Sequence, residues 1–329
     1  MPGESPGLVP AVRPLNPKVA ALGGGHGLFA SLSALRRVTR QLSAIVTVAD
    51  DGGSSGRLRR QYGVLPPGDL RMALAALCGD DAWGTTWSRV VQHRFTGDEA
   101  DLGGHAVGNL LIVALWELLG DTVQGLDWVG RLLGAYGRVL PMASVPIDLL
   151  AEVEGADPAR PYAVNTVRGQ VACAATTGRV RSVSLIPADP PACPEAVTAI
   201  LDADWVVLGP GSWFTSVLPH LLVPELAAAL VRTRARRVVA LNLVPQPGET
   251  GGFAPQTHLE VLADHAPQLK VDVVLADRGA AGGAVAELDK AAGLLGGRLV
   301  LADLAMRDGT PRHDPRQLAG AFAGIFEGE

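Results

Sequence analysis

The sequence predicts an α/β protein with a doubly wound, mostly parallel sheet, a helical insertion and a small antiparallel section. Two observations carry this prediction. Short apolar segments alternate with helical patterns over most of the chain, as in a parallel sheet that is covered by helices. Several of these apolar segments are followed by glycine-rich loops that lead directly into predicted helices.

The predicted strands are short apolar segments bounded by turn residues, and the predicted helices carry apolar residues at helical spacing. The predicted strands are residues 19–22, 44–48, 180–186, 205–208, 238–243, 271–276 and 299–302. The predicted helices are residues 28–38, 69–78, 109–119, 194–203, 216–232, 257–265, 285–295 and 315–326. Leu28, Leu32 and Leu35 share one face of the first helix, and Asp69 is the expected N-cap of the second.

Two regions depart from the alternation. Residues 69–136 contain helical patterns without a strand, so we expect a helical insertion on the sheet. From Arg138 to Val180 the apolar residues have a period of two, for example Leu149, Ala151 and Val153, which predicts the antiparallel section. Residues 1–17 are proline-rich and predict a disordered leader, so residues 18–329 are expected to form one domain.

The composition excludes several classes of protein. Of the 329 residues, 48% are hydrophobic and 19% charged, so the chain can bury a sizeable core. A net charge of −5 argues against broad binding of nucleic acid or an anionic membrane. Three widely separated cysteines form neither a disulfide framework nor a metal motif, and therefore indicate a cytoplasmic protein. The longest weakly charged stretch, residues 205–231, is interrupted by glycine and proline, so no membrane span is expected.

Residues 23–27, which we call the first glycine loop, lie between a predicted strand and a predicted helix. The spacing of Gly25, Gly27 and Ala30 is typical of a dinucleotide-binding turn. Glycines there let the backbone approach a pyrophosphate, whose charge the helix N-terminus favours. The alternative is a tight turn that binds nothing.

Two adjacent carboxylates, Asp50 and Asp51, follow the next predicted strand. Side by side, they need a cation, a metal or hydroxyl donors to offset their charge. Ser54 and Ser55 supply hydroxyl donors close by, and Arg57 supplies a positive charge. The segment therefore predicts a site that holds ribose or sugar hydroxyls, with a solvated surface turn as the alternative.

The segment Pro66-Pro67-Gly68-Asp69 follows soon after this pair. It could bring Asp69 and Arg71 into the same cleft, or it could be a simple turn before a capped helix.

Residues 209–216, the second glycine loop, again connect a predicted strand to a predicted helix. Gly209 and Gly211 are followed by the hydroxyl groups of Ser212, Thr215 and Ser216, without the lysine of a P-loop. The pattern favours anion binding by amides and hydroxyls over hydrolysis of a triphosphate. An ordinary capped helix is the alternative.

A further loop after a predicted strand carries Glu249 and Thr250, and His258 lies on the helix that follows. Such loops leave the ends of four predicted parallel strands, where open α/β sheets bind their ligands. A segment with His105 and Asn109 suggests another approach to this cleft, although His105 could instead cap a helix.

The other histidines carry less information. His93, His220 and His265 have no partner at metal-ligand spacing and are predicted to be structural, and His313-Asp314 is typical of a helix N-cap. The sequence contains no serine-protease-type triad, HExxH motif or GxSxG nucleophile motif.

Together these motifs resemble one family, the YvcK-type gluconeogenesis factors, which belong to the wider group named after CofD, a 2-phospho-L-lactate transferase. The matching segments are residues 23–27, 49–57, 64–71, 104–111, 208–216, 246–250 and 313–315. The most specific of them are ADDGGSSGRLR and PPGDLR. The glycine-histidine-glycine form of the first glycine loop resembles the actinobacterial branch.

The resemblance implies a Rossmann-like core and a site for a nucleotide sugar such as UDP-N-acetylglucosamine. It also implies a role in cell shape and in cell-wall precursor and gluconeogenic metabolism, with no required cofactor. The expected ligand-binding residues are Gly24, Gly25, His26, Gly27, Asp50, Asp51, Ser54, Ser55, Arg57, Asp69, Asn109, Gly209, Gly211, Ser212, Thr215, Glu249, Thr250 and Arg312. An enzyme of amino-sugar synthesis and a second copy of the chain are candidate partners.

The alternative from another class is an enzyme, a magnesium-dependent transferase of 2-phospho-L-lactate type. Its catalytic residues would be Asp50, Asp51 and Asp69. The deazaflavin-binding segment of the transferase branch has no counterpart here, because residues 104–109 stand in its place. We therefore expect a regulator without catalytic residues. An NAD-dependent oxidoreductase, which rests on the first glycine loop alone, ranks last.

Overall fold

The computed structural model describes residues 16–98, 101–157, 159–246 and 248–328. Residues 1–15 of the predicted leader lie outside this part. The strands are β1 (Val19–Gly23), β2 (Leu42–Val46), β3 (Arg138–Pro141), β4 (Asp148–Glu154), β5 (Val164–Arg168), β6 (Arg179–Ile186), β7 (Trp205–Leu208), β8 (Arg236–Ala240), β9 (Val273–Asp277) and β10 (Arg298–Ala302).

Helices cover the sheet and fill the predicted insertion. In chain order they are α1 (Gly25–Leu35), α2 (Gly53–Tyr62), α3 (Pro67–Ala76), α4 (Ala82–Gln92), α5 (Val107–Leu119), α6 (Thr122–Leu133), α7 (Gln170–Ala174), α8 (Pro194–Leu201), α9 (Pro219–Leu222), α10 (Pro224–Arg232), α11 (Thr257–His265), α12 (Arg278–Ala281), α13 (Val285–Leu294) and α14 (Pro315–Glu327). No helix in the described ranges combines the length and hydropathy that crossing a bilayer requires.

Seven of the described strands form one sheet in the order β10-β9-β8-β7-β1-β2-β3, and every neighbouring pair is parallel. From β1 the chain builds β2 and β3 on one side and then returns to build β7 to β10 on the other. Strands β1, β7 and β9 are buried along their whole length, because helices cover both faces. The doubly wound, Rossmann-like sheet is confirmed.

The antiparallel section is a separate sheet in the order β5-β4-β6. Leu149, Ala151 and Val153 alternate as buried residues on β4, as their period of two predicts. Two assignments were wrong. Strand β6 belongs to this sheet and not to the parallel one. Strand β3 lies inside the region predicted to be antiparallel, yet it is a parallel edge strand of the large sheet, a placement that local periodicity cannot indicate.

Helix boundaries account for the other differences. The predicted helix at residues 216–232 is broken into a π-helical turn, Trp213–Val217, followed by α9 and α10, because Pro219 and Pro224 each lack the N–H that a continuing helix needs. Asp69 is not an N-cap. Helix α3 begins at Pro67, so Asp69 lies in its first turn. Helix α2 was not predicted, because glycine and serine disfavour helix interiors.

Candidate functional site

The candidate site is the crevice at the carboxyl ends of β1, β7 and β8. Strand β1 is the point at which the strand order reverses, because β2 and β7 flank it on opposite sides. In doubly wound sheets, ligands bind outside the carboxyl ends of the strands at this point. Both glycine loops leave the sheet here, from the neighbouring strands β1 and β7.

The first glycine loop opens helix α1 without a cap from its own side chains. Gly24 is the N-cap residue and makes no side-chain hydrogen bond, and the first turn contains no acidic residue. The partial positive charge of the helix N-terminus is therefore not offset within its own first turn. Gly25 adopts a φ of +53°, a conformation that favours glycine.

The two glycine loops pack directly against each other. A Cβ atom on Gly27 would overlap the carbonyl oxygen of Pro210 and the Cα atom of Gly211. Asn242, which follows β8, holds the second loop with a pair of hydrogen bonds. Its Oδ1 accepts the Gly211 N–H at 2.8 Å, and its Nδ2 donates to the Gly211 carbonyl at 2.8 Å. Asn242 was missing from the predicted site because it falls within the predicted strand at residues 238–243, whereas β8 ends at Ala240.

A cavity of about 440 Å³ lies beside these loops. Its lining includes His26, Gly27, Pro210, Gly211, Asn242, Gln246, Arg312 and His313. The volume is in the range of small-molecule sites, and the lining combines apolar side chains with a few polar groups. Arg312 is largely exposed and forms an ion pair with Asp308 at 3.1 Å.

Unpartnered polar atoms concentrate at this end of the sheet. Of the seven buried side-chain N and O atoms without a hydrogen bond in the described residues, five belong to Trp213, Gln246, Gln256, His258 and His313. Trp213 and His258 contact each other edge to face, with ring centroids 5.3 Å apart. Buried polar groups normally find partners, so this concentration suits a ligand that brings donors and acceptors.

Asp50 and Asp51 point to different surroundings, although they are adjacent in the sequence. Asp50 accepts the Gly52 N–H at 2.9 Å and lies beside Gly68 of α3. Asp51 accepts the Val171 N–H at 3.0 Å, in the first turn of α7. The predicted pair is therefore divided. One carboxylate faces the crevice region, and the other contacts a helix of the small sheet.

Asp69 lies against the first glycine loop. A Cβ atom on Gly24 would be 2.7 Å from its Oδ2, and the carboxylate accepts a hydrogen bond from the Gly25 N–H. Burial, followed by the nearby charge of Asp50, raises the pKa of Asp69 to about 7. The structure thus brings Asp50 and Asp69 together, which is one of the two arrangements that the sequence left open, but Asp51 is not with them.

A buried chain of hydrogen bonds links α2, α3 and α5. Arg71 Nε donates to Asn109 Oδ1 at 2.9 Å, and Asn109 Nδ2 donates to Ser54 Oγ at 3.0 Å. Ser54 Oγ in turn lies 2.9 Å from His105 Nδ1. Burial, then the charges of nearby arginines including Arg57, lowers the pKa of His105, so a neutral ring can accept a hydrogen bond from the Ser54 hydroxyl at Nδ1. His105 is a partner of Ser54 and not a helix cap.

The hydroxyl groups of the second glycine loop contact an anion that belongs to the protein itself. Glu249 is buried and accepts hydrogen bonds from the hydroxyls of Ser212 and Thr215 and, at 3.1 Å, from the N–H of Phe214. Thr250 is fully buried and accepts the Gln246 N–H at 2.8 Å. In this structure Glu249 therefore occupies the acceptor position that a ligand anion was expected to take.

Two of the remaining candidates have other surroundings, and His220, which was predicted to be structural, lies in the core. Ser55 lies beside Gly68, and Arg57 donates to the Gly103 carbonyl at 2.6 Å. His220 is buried between the carbonyl groups of Ile45 and Val217, a structural position. Across the described ranges, no three His, Cys, Asp or Glu side chains gather in a way that could hold a metal ion.

Comparisons with known proteins identify the family of this chain. Residues 19–295 match the family described as 2-phospho-L-lactate transferase CofD. The chain belongs to the CofD family. A Mycobacterium tuberculosis protein that carries the provisional name gluconeogenesis factor is 54% identical over 93% of this chain and 90% of its own length. The gluconeogenesis factor of Bacillus subtilis is 37% identical over 79% of this chain and 77% of its own length.

A solved structure shows the same fold. The crystal structure of protein BH3568 from Bacillus halodurans superposes with a TM-score of 0.81 at 32% identity, covering 93% of this chain and 99% of that one. A second crystal structure of BH3568 describes it as a member of the UPF0052 family. Within the CofD family, this chain is therefore similar to the gluconeogenesis-factor (YvcK-type) members.

Proposed function

We propose that this CofD-family protein binds a nucleotide sugar in the crevice and acts as a cytoplasmic regulator of cell-wall precursor and gluconeogenic metabolism. The observation that carries the proposal is the cavity beside the two packed glycine loops, at the N-terminus of α1. The diphosphate would lie on the first glycine loop, where backbone amides and the helix dipole favour negative charge. UDP-N-acetylglucosamine is the ligand that we propose.

The unpartnered side-chain atoms of Gln246 and His313, which line the cavity, support the same proposal. A nucleobase carries the donors and acceptors that such buried groups need. The relatives' names support a metabolic role, which we extend to cell shape. An amino-sugar-synthesising enzyme and a second copy of the chain remain the proposed partners.

A thermal-shift titration tests ligand binding. A nucleotide sugar at about 100 times its dissociation constant stabilises a protein by about 2.7 kcal/mol. We expect UDP-N-acetylglucosamine to raise the melting temperature, and GDP and NAD to raise it less.

Replacing Arg312, which lines the cavity, with Gln should reduce the effect. The control is Arg316→Gln, an exposed arginine four residues further on that is not part of the lining. Equal shifts in both variants would argue against this site.

The enzyme alternative rests on the proximity of Asp50 to Asp69, which contacts the first glycine loop, together with the family match. These carboxylates are oxygen ligands that suit Mg²⁺, which when bound would offset the charge of a phosphoryl group. A regulator should leave UDP-N-acetylglucosamine intact after prolonged incubation with Mg²⁺. Release of a product by the wild-type protein but not by Asp50→Asn would show that the protein is an enzyme and would overturn the regulator.

A further inference from the structure

A second large cavity lies at the opposite end of the sheet from the candidate site. Its volume is about 720 Å³, and it forms where the turn after α1, the loop between α3 and α4, and the segment before β3 meet. The lining residues are Asn16, Arg36, Arg37, Val38, Thr39, Arg40, Asp80, Asp81 and Tyr136. Helix α1, about 16 Å long, separates this cavity from the first glycine loop.

The lining of this cavity has more positive than negative charge. Three arginines lie within five residues, and Asp80 alone forms ion pairs with two of them. Its Oδ1 is 2.5 Å from Arg36, and its Oδ2 is 2.8 Å from Arg37. The second carboxylate, Asp81, is engaged elsewhere, because its Oδ1 accepts the Gly84 N–H at the start of α4.

The arginines are only partly satisfied. The side chain of Arg36 is 10% exposed, and its buried Nε has no hydrogen-bond partner. Burying a guanidinium group is costly unless anions and acceptors surround it. The side chain of Asp80 is itself 57% exposed, so water screens its charge. It also shares that charge between Arg36 and Arg37. An additional anion would improve the charge balance of this group.

Tyr136 indicates which kind of anion fits. The Arg40 guanidinium carbon lies 3.7 Å from the centre of its ring, and no carboxylate in the described part of the chain forms an ion pair with Arg40. A guanidinium held flat on a ring keeps its N–H donors directed sideways, where the oxygens of a phosphate can accept them in pairs. The cavity volume suits a small molecule.

We propose that this cavity is an anion-binding site that takes the phosphate group of a small molecule, independent of the nucleotide-sugar crevice. Arg37 and Arg40 are the exposed donors that first meet the ligand, and Arg36 provides the buried charge behind them. The phosphate would share Arg36 and Arg37 with Asp80. Tyr136 keeps the guanidinium of Arg40 in place.

Calorimetric titration with sodium pyrophosphate at constant ionic strength tests this proposal. We expect the double variant Arg37→Gln/Arg40→Gln to bind one pyrophosphate fewer per chain than the wild type. The matched control is Arg232→Gln/Arg234→Gln, which removes the same charge from two exposed arginines at the end of α10 and just beyond it. The control should bind as many as the wild type.

The titration separates this site from the nucleotide-sugar crevice. If the arginine-lined cavity and the crevice both bind pyrophosphate, the wild type binds two per chain and Arg37→Gln/Arg40→Gln binds one. If the crevice does not bind it, the wild type binds one per chain and the double variant binds none. An unchanged stoichiometry in Arg37→Gln/Arg40→Gln overturns the proposal. So does an equal loss in the control, because binding would then depend only on overall charge. Circular-dichroism melting confirms that each variant is folded.

Discussion

At the scale of single residues, the carboxyl groups of Asp69 and Asp50 are the features that determine the charge of the crevice. Asp69 contacts the first glycine loop, which we expect to meet a diphosphate, and Asp50 lies close enough to Asp69 to act on it by its charge. An anion next to an anion is unfavourable, so the raised pKa of Asp69 matters for binding as well as for folding. With a pKa of about 7, a substantial fraction of Asp69 is neutral at physiological pH.

The first prediction concerns the pH dependence of stability. The pKa of Asp69 rises from 3.8 to about 7 on folding. Between about pH 4 and about pH 7 the folded protein therefore holds a proton that the unfolded chain has released. Stability must then fall as the pH rises through this window, by on the order of 4 kcal/mol from this residue. Asp69→Asn, which stays neutral, should remove this contribution.

Urea unfolding at a series of pH values, with EDTA present, measures this effect. The free energy of unfolding of Asp69→Asn relative to the wild type should increase from pH 4.5 to pH 8. Asp289→Asn is the control, because Asp289 is exposed on α13. A constant difference between Asp69→Asn and the wild type would contradict the raised pKa.

At the scale of elements, the packing of the two glycine loops fixes the shape of the crevice. Gly27 lies in the first turn of α1, where alanine would ordinarily favour the helix by about 0.5–1 kcal/mol. Here the added methyl group would overlap backbone atoms of Pro210 and Gly211. Unlike the end of a flexible side chain, these backbone atoms cannot rotate away. Two opposite effects of one substitution therefore compete, and the overlap should dominate.

The second prediction is that Gly27→Ala destabilises the protein by about 1–3 kcal/mol. Gly283→Ala is the matched control, because no atom lies within 4 Å of the position that its Cβ would take. Chemical denaturation of both variants provides the comparison. If Gly27→Ala were as stable as Gly283→Ala, the loops would not be in the contact described here.

Glu249 organises the second glycine loop. Its carboxylate accepts two hydroxyl groups and one backbone N–H from the π-helical turn Trp213–Val217 and the residue before it. A buried carboxylate that accepts several hydrogen bonds is difficult to replace, because an amide presents donors where only acceptors fit.

The third prediction is that Glu249→Gln lowers the free energy of unfolding by about 1–3 kcal/mol and increases hydrogen exchange at Phe214. Glu260→Gln, at an exposed position on α11, should change neither quantity. Hydrogen-exchange mass spectrometry resolves the segment. Unchanged exchange in residues 212–217 of Glu249→Gln would show that this carboxylate does not hold the turn.

At the scale of the whole molecule, the core is continuous. One cluster of buried apolar side chains runs from β1 to α14 and includes Leu149, Val153 and Val183 of the small sheet. Asp51 adds a polar connection, because it joins the end of β2 to α7. The two sheets therefore share their stabilising contacts.

The fourth prediction follows from this continuity. The described part of the chain should unfold in a single cooperative transition. Fluorescence of the tryptophans, which lie in and around the large sheet, and far-ultraviolet circular dichroism should give the same midpoint in guanidinium chloride. Two separated transitions would show that the three-stranded sheet is an independent unit, contrary to the expectation of one domain for residues 18–329.

Much of this fold could be predicted from local sequence. Apolar segments with glycine loops predicted the parallel strands, and the loops' positions predicted that ligand-binding candidates would gather at the carboxyl edge. The segment with Asp50 and Asp51 was predicted to follow the second strand, and it does follow β2 in the structure. These features depend on backbone preferences and burial, which neighbouring residues determine.

The tertiary structure alone decided which groups become partners. The sequence could not show that Asp51 meets Val171, that Glu249 takes the hydroxyls of Ser212 and Thr215, or that Asn242 holds the second glycine loop. It could not place β3 at the edge of the parallel sheet either. Each of these contacts joins residues that are far apart in the chain. Their proximity depends on the order of the strands, because adjacent strands bring distant loops together and periodicity records only the local conformation.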